Sequence, residues 1–244
     1  MKLKTTILPL CTAFLSVVGI IIRFWISTAG TDSSGLVITG HPSVIAMTVL
    51  ILSVAALLAV FAIFMDKTPT APQKSTTGAV GGYIGAVGLF ITAITELRAM
   101  SAVETQNTVS NLTGVISVLL GFSSVVVLVL IGNSRKKGKA LNVWAYVIIV
   151  SFFVFHLLQQ YQLWTRQPQI SDYLCPLLAS VFLMLTAYQR ACKDLGQSAQ
   201  WQYMVLSQAA LFFSIMAIGG QSWVFYSSMA LWTLLDSLPG KEMN

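Results

Sequence analysis

Seven predominantly apolar stretches, residues 7–26, 43–64, 79–100, 112–131, 143–163, 173–190 and 201–219, dominate this chain, and residues 223–238 form a shorter eighth. The hydrocarbon core of a bilayer is about 30 Å thick, so a spanning helix needs roughly 20 such residues. Charge content agrees. Only 9% of the 244 residues are charged, whereas a soluble domain carries about 25% to solvate its surface. With a mean hydropathy of +0.78, an ordinary soluble enzyme, a disordered tail, a coiled coil and a nucleic-acid binder with a charged face are all excluded. The predicted fold class is an all-α polytopic transmembrane helical bundle, one domain over residues 1–244.

The last two stretches read as separate helices. Joined, residues 201–238 would run to about 57 Å at 1.5 Å per residue, nearly twice the core thickness. Gly219-Gly220-Gln221-Ser222 lies between them and supplies turn chemistry. Eight spans are therefore predicted, the last pair as a tight hairpin. Seven spans plus a half-inserted segment is the alternative.

Orientation follows from the bias of Lys and Arg toward cytoplasmic loops. With the N-terminus inside, that side holds Lys2, Lys4, Lys67, Lys74, Arg135, Lys136, Lys137, Lys139, Arg190, Lys193 and Lys241. The other side holds Arg23, Arg98 and Arg166. The acids divide evenly, with Asp66, Asp194, Asp236 and Glu242 inside and Asp32, Glu96, Glu104 and Asp172 outside. Both termini are thus predicted to be cytoplasmic. On this reading the formal charge of +6 is a topology signal and an attraction to anionic lipid, worth about 1 kcal/mol per basic residue near the surface. Membrane lipid is an expected partner and nucleic acid is not. The first helix lacks a cleavage-type site and is expected to stay as an anchor. A plasma membrane, of the bacterial inner-membrane kind, is the expected location.

Catalytic signatures are absent. The chain has no H-E-x-x-H, G-x-S-x-G or C-x-x-C, and its glycine run 78–88 contains no G-x-G-x-x-G. Cys175 and Cys192 sit about 25 Å apart along one helix, so no disulfide framework is expected. The two histidines, His41 and His156, have no matching ligand set. No cofactor, metal or catalytic residue is predicted, and an intramembrane enzyme is the least favoured class.

Two patterns remain. Ser110, Gly114, Ser117, Gly121 and Ser124 recur at spacings of four and three along one helix face, and Gly78, Gly81, Gly82, Gly85 and Gly88 crowd another helix. Small residues in such rows let backbones approach closely. Gly81 and Gly85 form one pair, and Gly78, Gly82 and Ala86 a parallel row. Tight packing within the chain is the main reading, with homo-oligomerisation through Gly85, Gly114, Ser117 and Gly121 as the other.

The second pattern is polar. Intramembrane polar residues are functional candidates because each is costly unless paired. His156, Gln159 and Gln160 share a face at i, i+3 and i+4. Thr92 and Glu96 share another, with Arg98 beyond, and Arg23 lies at similar depth. If these helices adjoin, the outer half of the bundle holds a cavity lined by Arg23, Glu96, Arg98, His156, Gln159 and Gln160. Gln208 reads as interhelical hydrogen-bonding glue. Trp25, Trp144, Trp164, Trp201 and Trp223 read as an interfacial aromatic belt. The expected function is binding or transport of a small-molecule solute, with His156 and Glu96 as proton-linked groups. The alternative is a non-catalytic membrane sensor, scaffold or assembly partner acting through the small-residue seams.

Overall fold

A computed structural model describes residues 2–32, 37–38, 40–65, 74–101, 108–164, 170–219 and 222–238. Eight helices follow one another: α1 (Lys2–Ala29), α2 (Pro42–Phe64), α3 (Thr76–Ser101), α4 (Thr108–Lys137), α5 (Val143–Trp164), α6 (Ile170–Asp194), α7 (Gln200–Ala217) and α8 (Trp223–Ser237). An isolated bridge also joins Thr31 and Val37. Asp66, Lys67, Glu104, Arg166, Lys241 and Glu242 of the charge count lie outside the described residues, as do Gly220 and Gln221 of the expected turn. The same holds for the side chains of Lys2, Lys4, Ser110, Trp164 and Asp172.

Each apolar stretch became a helix, and α1 to α6 are long and apolar enough to cross a membrane. α7, with 18 residues, is not apolar enough for that measure and α8, with 15, is too short. The reason is position. Most of their residues are buried by protein, including Tyr203, Ser207, Gln208 and Ser214 on α7 and Ser228, Thr233 and Asp236 on α8. A helix screened by its neighbours has no need to be apolar all round.

Packing places α7 and α8 in a closed circuit. α3 packs on α4, α4 on α5, α5 on α6, α6 on α7, α7 on α8, and α8 returns to α3. α1 and α2 lie outside this ring, mainly against α7. Their exposed faces carry Phe14, Ile21, Phe24, Leu52, Ile63 and Phe64. α2 begins as its sequence predicts, with Pro42 in the first turn, where the missing N–H costs nothing. His41 caps it, its Nδ1 accepting from the Ser43 N–H at 3.3 Å. Helices opposite one another in the ring meet through large side chains: the Phe152 and Phe153 rings of α5 lie 6.1 and 6.3 Å from Phe225 of α8.

The glycines explain how tightly the ring closes. A Cβ on Gly81 would stand 2.9 Å from the Leu235 Cβ, and one on Gly85 would stand 3.2 Å from the Trp232 Cβ. A Cβ on Gly88 would overlap the Ser228 side chain, and one on Gly78 would lie 2.8 Å from Asp236 Oδ1. These four therefore form the face that α3 presents to α8. Gly82 instead faces α4, where its Cβ would come within 3.0 Å of the Gly132 backbone and the Leu128 carbonyl. The expected row of Gly78, Gly82 and Ala86 is thus divided, because α3 is wedged between two partners and uses one glycine set for each. On α4, Gly114 meets Met100, Gly121 meets Phe152 and Ala93, and Ser117 is wholly buried.

Trp25, Trp144 and Trp223 are exposed and Trp201 is half-buried, as suits residues at helix ends. Trp232 is the exception, buried on α8 against the glycine face.

Candidate functional site

Two polar centres occupy opposite ends of the ring, here called outer and inner after the predicted orientation. At the outer end, Glu96 of α3 and His156 of α5 meet, with Oε1 and Nδ1 3.4 Å apart. α3 and α5 are not neighbours in the ring, so this contact lies inside it, behind α4. Gly121 of α4 sits against both Ala93 and Phe152, and those residues precede Glu96 and His156 by about one turn on their helices. Ser117, one turn further out on the same row of α4, stands at the level of the pair.

His156 is wholly buried, while the Glu96 side chain keeps 15% of its surface exposed. The imidazole stacks on Phe152 with centroids 5.5 Å apart and lies 4.6 Å from the Phe225 ring. Neither ring nitrogen of His156 has a hydrogen-bond partner; the Glu96 contact has the distance of an ion pair without hydrogen-bond alignment. Gln159 Oε1 and Ser117 Oγ are likewise buried and unpartnered. Each such group costs about 1–3 kcal/mol in an apolar interior. Beside them, the Tyr226 hydroxyl donates to the Pro176 carbonyl at 3.3 Å.

The other expected site residues part company. Gln160 is half-buried and Arg98 is exposed. Arg23 reaches α7, where its Nη1 donates to the Met216 carbonyl. The last carbonyls of a helix lack intrahelical donors and attract positive charge, so Arg23 serves as a cap on α7. Gln208 is buried with neither amide atom partnered, so the expected interhelical hydrogen bond is not made. A shallow groove of about 380 Å³ exists elsewhere, lined by Val80, Tyr83, Val87, Val224, Ser227 and Leu231 between α3 and α8.

Sequence reasoning missed the inner centre. Asp236 near the end of α8 accepts from Arg135 Nε of α4 at 2.7 Å, from Arg190 Nη1 of α6 at 3.2 Å, and from the Tyr203 hydroxyl of α7. Asp194 of α6 accepts from the Tyr146 hydroxyl of α5 at 2.6 Å and from the Leu141 N–H at 3.2 Å. Its other oxygen lies 3.7 Å from Arg190 Nε. With Gly78 of α3 pressed against Asp236, all six ring helices converge here. None of the four charged side chains is more than 6% exposed. Lys193 stands over the Tyr203 ring with Nζ 5.0 Å from its centroid.

By sequence, Arg135, Arg190, Asp194 and Asp236 count only among the charges on the cytoplasmic side. Two signals pointed the other way. Asp236 falls inside the eighth apolar stretch, and Arg190 and Asp194 sit at i and i+4, the spacing of a helical ion pair.

Together, eight helices among the described residues, six of them long and apolar enough to cross a membrane, are compatible with an integral membrane protein. The chain matches no protein-family model, no curated protein and no solved structure.

Proposed function

We propose that this chain is a multi-pass plasma-membrane protein that binds, and carries across the bilayer, a small polar solute at the Glu96–His156 centre. The observation that carries this reading is His156 itself: wholly buried, with both ring nitrogens unpartnered, beside a carboxylate that reaches the surface. Glu96 and Gln159 Oε1 are acceptors and His156 supplies one more in its neutral form. The centre therefore suits a solute rich in hydrogen-bond donors. Glu96, with part of its side chain exposed, gives such a solute a way in.

A thermal-shift screen of the purified protein against amines, polyols and amino acids, run at two pH values, tests this. A stabilising solute should lose at least tenfold in affinity, about 1.4 kcal/mol, in both His156→Ala and Glu96→Gln. Its uptake by proteoliposomes should fall in parallel. Undiminished binding and flux in both folded variants would remove the site and leave the scaffold reading in its place.

All eight helices span on this reading, α7 and α8 as an inner hairpin, with both termini in the cytoplasm. An enzymatic reporter fused after Asn244 should then be active only on the cytoplasmic side. Activity on the outer side would exclude an even number of spans.

A further inference from the structure

The inner cluster differs chemically from the outer centre. Asp236 has both carboxylate oxygens filled by donors from three other helices, so the cluster ties helices together and offers little to a guest. Between the two centres α5 turns apolar side chains inward. On α5, His156 and Tyr146 are separated by Ile149, Phe152 and Phe153, all buried, and the two rings meet Phe225 from the opposite side. The path from the outer centre is therefore shut twice, by an aromatic layer and by the ion pairs.

α8 belongs to both centres. Its first turn places Phe225 against the His156 ring, and its last places Asp236 in the cluster. Along the length between them it lies on Gly78, Gly81, Gly85 and Gly88 of α3, which add no side chains of their own to the contact. A helix held this way can shift as a rigid rod, as packed helices do in shear motions. Buried ion pairs are also a poor device for stability alone, and their best-attested use is in register and switching. Arg190 Nε and Asp194 Oδ1, 3.7 Å apart and each without a hydrogen bond, show that the cluster is not bonded to its limit.

We propose that the buried Arg135–Asp236–Arg190 cluster is an inner latch, and that α8, running from the His156 ring to Asp236 along the glycine face of α3, releases it when the outer centre is occupied. The coupling rests on the proposed solute site. The latch itself does not, because it is open to test without solute.

A reporter thiol at Ala187, wholly buried on α6 about one turn outward of Arg190, supplies that test. Ala187→Cys is placed in a chain carrying Cys11→Ser, Cys175→Ala and Cys192→Ser, and inside-out vesicles are treated with a membrane-impermeant maleimide. The reporter should label slowly with the latch intact. In Asp236→Asn it should label at least tenfold faster, since about 1.4 kcal/mol of bias toward the open form suffices. Asp236→Glu, which keeps the charge, should return the rate toward that of the parent. If Asp236→Asn fails to fold, Tyr203→Phe decides, because it removes one donor from Asp236 at almost constant volume. Parent-like labelling in a folded Asp236→Asn or Tyr203→Phe protein overturns the latch. Fast labelling of Asp236→Asn, with a parent rate that none of the screened amines, polyols and amino acids raises, keeps the latch and overturns its coupling to His156.

Discussion

Arg190→Met should destabilise the protein by about 3–5 kcal/mol, the cost of leaving buried charges uncompensated when one partner is removed. Arg190 is held by Asp236 at 3.2 Å and faces Asp194 at 3.7 Å. Met preserves most of the stem volume and removes only the guanidinium. Asp194 would then keep the Tyr146 hydroxyl and the Leu141 N–H but lose the positive charge facing it. Thermal unfolding in mild detergent, followed by circular dichroism, measures the change. Lys136→Ala provides the comparison, since Lys136 is an exposed basic residue next to Arg135 and its loss should stay within about 0.5 kcal/mol. Equal melting of the two variants would mean that the inner cluster contributes nothing to the fold. The same physics favours a latch that opens toward water, because charges expensive to orphan in a dry interior are solvated once the inner end admits solvent.

Gly82→Leu should cost about 3 kcal/mol or more, the upper range for forcing extra methylenes into a packed interior. Its Cβ would meet the Gly132 backbone and the Leu128 carbonyl at 3.0 Å, and no side chain there can swing aside. Gly121→Ala on the facing helix makes the contrast. Its Cβ would lie 3.4 Å from Phe152 and 3.5 Å from Ala93, ordinary van der Waals contact. Because Ala exceeds Gly in helix propensity by about 1 kcal/mol, that variant should be neutral or slightly stabilised. Unfolding midpoints that rank the two variants the other way round would contradict the α3–α4 packing described here.

Much of the fold was legible in the chain because lipid imposes a one-dimensional rule. A helix that must cross about 30 Å of hydrocarbon announces itself by length and apolarity, and residues 43–64 became α2 almost residue for residue. The shortest pair was recognised as separate helices by the same length argument. Its burial was not legible, since a hydropathy pattern does not say whether a helix faces lipid or protein. The polar centre at the outer end was half legible. Periodicity placed His156 with Gln159 and Gln160, and Thr92 with Glu96, on their own faces. That Glu96 would reach His156 while Arg23 turned to α7 depends on which helices adjoin, and local spacing carries no such information.

The amino-acid sequence alone determined that the chain builds apolar helices, where each begins and ends to within about six residues, and that small residues let some of them touch. Only the tertiary structure decided that α3 to α8 close into a ring, that Glu96 and His156 meet behind α4, and that Arg135, Arg190, Asp194 and Asp236 turn inward to one another. The physical reason lies in the range of the forces. Helix formation and membrane affinity depend on the residues within a turn or two. An ion pair between Arg135 and Asp236, 101 positions apart, exists only once six helices have agreed on their neighbours.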